Sequence, residues 1–176
     1  MKKIIIALSI LTIIMVNNSM KEEIVIPNDA IRIRVIANSN TNIDQKIKGD
    51  VRKNLQEHMA SLLKNATTVE EVREILTNNI EKFTITVEKT MKKNNYNELF
   101  HIDYGLNYFP TKEFKGVTYE EGYYESIVVT IGAGEGDNWW CVLFPPLCLM
   151  EHEESNIEEV EYKSFIKEIL DTFFGN

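Results

Sequence analysis

Histidine, cysteine and basic charge are all in short supply in this chain. The three histidines, His58, His101 and His152, stand far apart, and the two cysteines, Cys141 and Cys148, offer at most one pair. A structural zinc site wants four thiolate or imidazole ligands at short intervals. The sequence therefore has no zinc site of familiar spacing, and no cofactor is expected. Lys and Arg number 19 against 27 Asp and Glu, a formal net charge of −8. Nucleic-acid binding needs a basic face to neutralise phosphates, whereas the cations here are interspersed with acids, so no nucleic-acid partner is expected. Long apolar runs are missing as well. The run over 4–16 is too short for a membrane-spanning helix, which needs about 20 apolar residues.

That run has a different meaning. Lys2 and Lys3 precede it, and Asn17, Asn18 and Ser19 follow, which is the charged, apolar and polar order of a secretory signal. Export is expected, with residues 1–19 as a signal peptide cut after Ser19 or kept as a short anchor. Membrane contact would then come only through this segment, if uncleaved. Residues 20–29 form a charged linker.

Ile31, Ile33 and Val35 alternate with Arg32 and Arg34, giving a strand with an apolar face and a basic face. The default place for such arginines is the surface; pairing with acids near the C-terminus is the other option. Residues 37–40, Ala-Asn-Ser-Asn, form a turn. Ile43, Ile47, Val51, Leu55, Met59, Leu62 and Leu63 draw a helical stripe that ends near Lys64, and Asp44, Lys48 and Arg52 share a side suited to local ion pairing. Thr68 and Glu71 form a capping-box pattern ahead of a second stripe, from Val72 to Met91. Alternation over 100–108 predicts a half-buried strand. A loop marked by Gly116 and Gly122 follows, holding one short strand, and 124–131 is a further strand. The glycine-rich stretch 132–136 leads into another strand and carries Glu135, with Asp137 beside it, so it reads as a hairpin turn and not as a phosphate loop, which opens a helix. Residues 151–161 are acidic, and a final helix follows. The chain thus reads as one α+β domain over 30–176, in the order β-α-α-β-β-β-α. Its sheet of four or more strands is covered by a helical hairpin and a C-terminal helix.

The densest stretch is 138–148, Asn-Trp-Trp-Cys-Val-Leu-Phe-Pro-Pro-Leu-Cys. Its residues are apolar on both faces, which predicts a central strand with cover on each side, ended by Pro145 and Pro146. It reads either as a core strand with its exit turn or as a rigid aromatic and proline surface offered to a partner. Outside the cytosol Cys141 and Cys148 can pair; two buried free thiols are the alternative. A cysteine-dependent hydrolase would need Cys141 or Cys148 as a thiolate, with His101 serving Cys141 as base. Cys141 between bulky apolar neighbours argues against that activation.

The chain from about Ile31 onward resembles stage II sporulation protein R of endospore-forming bacteria. The resemblance rests on residues 31–39 (Ile-Arg-Ile-Arg-Val-Ile-Ala-Asn-Ser), Asp44-Gln45, Lys48 and Val51-Arg52, then Phe109-Pro110-Thr111-Lys112, Tyr124-Glu125, the glycine-rich turn and residues 138–148. Asn40 stands where the family usually has Asp, and Glu120-Glu121 where it has a Pro-Ala pair. The resemblance implies a signalling protein with no catalytic residues of its own. Such a protein is secreted from the forespore into the space between forespore and mother-cell membranes, and activates a membrane-embedded sporulation aspartic protease that processes pro-sigma-E. An extracytoplasmic cysteine-dependent hydrolase is the alternative function. The expected partner surface combines Arg32, Arg34 and Asn38 with Phe144, Pro145, Pro146 and Leu147, because arginine and aromatic residues dominate binding energy.

Overall fold

A computed structural model of the chain describes residues 26–27, 29–114, 117–147 and 159–175. The expected signal segment, most of the linker, most of the acidic segment and Cys148 lie outside them. Among the described residues the order is β1 (Ile31–Ile36), α1 (Asn42–Leu63), α2 (Val69–Asn78), α3 (Ile80–Lys93), β2 (Phe100–Phe109), β3 (Lys112–Phe114), β4 (Val117–Tyr119), β5 (Gly122–Ile131), β6 (Asn138–Phe144) and α4 (Glu159–Phe174). This is the expected α+β class. The main sheet runs β2-β5-β1-β6, and β3 and β4 form a separate two-stranded ribbon. β1 is parallel to β5 and antiparallel to β6, and β2 is antiparallel to β5.

Two local expectations are revised. The second stripe is one helix in sequence but two in space, because Asn79 leaves helical geometry at φ −120° and ψ 9° and its side-chain amide donates to the Ile75 carbonyl at 2.7 Å. The capping box at Thr68 and Glu71 is formed. The expected Asp44–Lys48 ion pair is not made. Lys48 donates instead to Gln45 and to the Asp137 carbonyl, at 2.6 and 3.0 Å.

Strand alternation divides the sheet into two faces. Ile31, Ile33 and Val35 of β1 join Ile127, Val129 and Ile131 of β5 against Val51, Leu55, Met59, Phe83 and Val87 of the helices. This is the larger core. Its helices are tied by Asn54 donating to Thr90 at 2.8 Å, and by a hydrogen bond between His58 and Thr86 at 2.9 Å. On the opposite face Val142 packs with Val117 and Tyr119 of β4 and with Tyr162, Ile166 and Ile169 of α4. The two cores explain why β6 is apolar on both sides. The strand order corrects its expected place: among the described residues β6 is an edge strand, and β1, with neighbours on both sides, lies inside.

Candidate functional site

The β1 arginines point away from the helical layer, as the alternation requires, but not into water. Arg32 is fully buried. Its guanidinium carbon lies 3.4 Å from the Tyr124 ring centroid, 5.3 Å from Phe109, 5.3 Å from Trp140 and 6.0 Å from Tyr119. The rings also hold one another edge to face, Tyr119 to Trp140 at 5.2 Å and Phe109 to Trp140 at 5.7 Å. Among the described residues, none of the three guanidinium nitrogens has a hydrogen-bond partner of acceptable geometry. Burial therefore pulls the Arg32 pKa below its ordinary value, with Tyr124 and Tyr119 opposing the shift in part. Arg34, half-buried, reaches across β5 to donate to the Tyr108 carbonyl, and its guanidinium stacks on Phe109 at 4.3 Å. Burial lowers its pKa too.

A second group of polar residues closes the far end of β1. Asn38 donates to Asp44 at 3.2 Å and accepts from the Ala133 amide at 2.8 Å. Asn40 accepts from the Asp137 amide at 2.6 Å. Asp44, in the first turn of α1, also accepts from Ser39 and from Tyr96, and its backbone amide donates to the Thr41 hydroxyl that caps the helix. The Ser39 hydroxyl, then Tyr96, hold the Asp44 carboxyl below its usual range. Tyr96 is pushed up to about 12 by burial and by Asp44. A carboxylate depressed in the folded state stabilises fully above its unfolded pKa, near 3.8, and loses that contribution as pH falls through the folded value. Melting temperature is therefore expected to drop below about pH 4, and Asp44→Asn is expected to flatten that acid limb.

The expected partner residues are not brought together. Phe144 pairs with Ile31 at one end of β1, whereas Asn38 lies beyond the other end, seven residues on and so about 20 Å away at strand rise. Arg32, Phe144, Pro145 and Leu147 are buried, while Arg34, Asn38 and Pro146 are half-buried. Phe144 is held edge to face by Phe173 at 5.2 Å. Cys141 is disulfide-bonded, and Cys148 lies outside the described residues. His101 cannot serve Cys141: β2 and β6 are opposite edges of the sheet, three strand spacings or about 14 Å apart, and the two side chains sit on different faces. Among the described residues, no cluster of metal-ligating side chains is present, and no helix is long and apolar enough to cross a membrane.

What the sequence reading missed is the aromatic setting of Arg32. Its rings come from β2, β4, β5 and β6, and the signal available was only that Phe109, Tyr124 and Trp140 fall on the arginine side of their strands once pairing is known.

Residues 27–154 match the family described as Stage II sporulation protein R (spore_II_R). The chain is also similar to Stage II sporulation protein R of Bacillus subtilis (strain 168), at 35% identity over 150 residues that cover 85% of this chain and 67% of that protein. No solved structure matches it.

Proposed function

The chain belongs to the stage II sporulation protein R family, and from that premise we propose that it is an exported signal of sporulation. It is secreted from the forespore and activates a membrane-embedded aspartic protease, which then processes pro-sigma-E in the mother cell. The observation that carries this reading is the family match across 27–154. The disulfide at Cys141 supports it in two ways. Disulfides persist in oxidising compartments, in keeping with export, and a disulfide sulfur is not the thiolate that a cysteine hydrolase requires. Activation needs only that this protein bind the active arrangement of the protease better than the inactive one.

The test is reconstitution in a non-sporulating host carrying the candidate protease and the sigma-E precursor. Immunoblots are expected to show the precursor shortened when the full chain is added, and intact when residues 1–19 are deleted. An intact precursor with all three proteins present and this one exported would refute direct activation. Replacing both cysteines by serine is expected to lower stability while leaving measurable processing, whereas a thiol hydrolase would lose all turnover.

A further inference from the structure

Trp140 lies close to two cations. The Arg32 guanidinium carbon is 5.3 Å from its ring centroid and the Lys112 ammonium nitrogen 5.2 Å. Neither cation has an ion-pair partner among the described residues, in a chain whose net charge is −8. Beside them, Lys112, Phe114, Tyr119, Trp140 and Cys141 line a cleft of about 80 Å³. Two walls of that cleft, Tyr119 and Trp140, are also walls of the Arg32 cage. The charge of Arg32 therefore acts on the cleft through aromatic rings and not through water, where it is weakly screened.

Resting on the reading of this chain as a protein-binding signal, we infer that this cleft receives a carboxylate side chain from an extended segment of the protein partner. Its size decides against a small-molecule site, since ligand pockets measure about 300–1,000 Å³; the end of one side chain fits. The charge decides for an anion, with Lys112, which is exposed, making the contact and Arg32 supplying field from behind. An extended backbone suits the place because two of the lining residues, Trp140 and Cys141, lie on β6, which has no strand beyond it among the described residues. Such an edge offers its outward backbone groups to an added strand.

The two adjacent tryptophans allow a local test. In the full chain, the indole N–H resonance of Trp140 is expected to move on titration with a short poly-glutamate peptide, while that of Trp139 stays in place. The glutamine counterpart is expected to have little effect. Lys112→Gln is expected to weaken the response about tenfold or more, the scale of one lost charge pair, and added salt to weaken it further. An equal response to the glutamine peptide, or one that survives Lys112→Gln, overturns the assignment. So does Lys112-dependent binding to anionic phospholipid vesicles with no response to the glutamate peptide. In the reconstituted host, Lys112→Gln is expected to shorten less precursor than the wild type. Equal shortening by both would overturn the role of the cleft and leave the proposed function standing. Failure of the wild type would count against the proposed function alone, with the resonance titration still deciding the cleft.

Discussion

Arg32→Met is expected to raise the melting temperature while weakening the signal. Two opposing terms set the stability. Removing a guanidinium from water costs several kcal/mol when no hydrogen bond or counter-ion replaces the lost hydration, and among the described residues the three nitrogens of Arg32 have neither. Against this stand the cation–π contacts. The Tyr124 ring, at 3.4 Å, contributes about 2 kcal/mol in a desolvated setting, and the more distant rings contribute about 0.5–1 kcal/mol each. Methionine keeps most of the packing and adds sulfur–aromatic contacts of about 0.3–1.5 kcal/mol. Replacing buried ions by apolar side chains of similar volume ranges from neutral to about 4 kcal/mol stabilising. A gain of about 1–2 kcal/mol is expected, or roughly 2–8 °C at this chain length. Arg32→Ala is expected to behave oppositely, because it empties the space between four rings and costs about 3 kcal/mol or more. Thermal melts of the two variants separate charge from volume. If Arg32→Met melted well below the wild type, the aromatic cage would be a net stabiliser of the cation. A more stable protein that signals poorly would mean that the buried charge is kept for binding, a trade of stability for function.

Gly132→Ala is expected to destabilise by about 3 kcal/mol or more, the largest loss foreseen for the deletion of no atoms at all. Gly132 sits at φ +56°, and a Cβ there would lie 2.1 Å from the Asn38 side-chain oxygen. An L-residue in the left-handed region costs about 1–2 kcal/mol by itself. Asn38 must also withdraw, giving up the bond from the Ala133 amide and its own bond to Asp44, each worth about 1 kcal/mol. The comparison that makes this diagnostic is Gly49→Ala in α1. Nothing lies within 4 Å of its would-be Cβ, so alanine there is expected to stabilise by about 0.5–1 kcal/mol through helix propensity. Urea titrations of both variants should therefore give midpoints on opposite sides of the wild type. Equal and small shifts would show that the glycine turn and the Asn38 loop do not hold each other.

How much of this was written in the chain differs by residue. The extent of α1, the capping box at Thr68 and the strand character of β1, β2, β5 and β6 were legible, because periodicity and capping act over a few neighbouring positions. The break at Asn79 was not, since the apolar stripe passes through it and only backbone geometry records the change. Ile43 continues the stripe of α1 yet is 67% exposed, whereas its neighbour Asp44 is buried, held by Ser39 and Tyr96. The membership of the family was legible too, carried by residues 31–39, 109–112 and 138–148.

The sequence by itself determined the class of fold, most of the local elements and the family, since each depends on residue order alone. Tertiary structure decided that β6 lies at the edge and β1 inside, because strand order depends on long-range pairing that periodicity does not encode. It also decided that the basic face of β1 is an interior. Alternation separates Arg32 from Ile33 but cannot say what covers either side, and the four rings around Arg32 come from positions 109, 119, 124 and 140. Only the folded chain brings them to one guanidinium, and beside them it leaves the cleft next to Lys112.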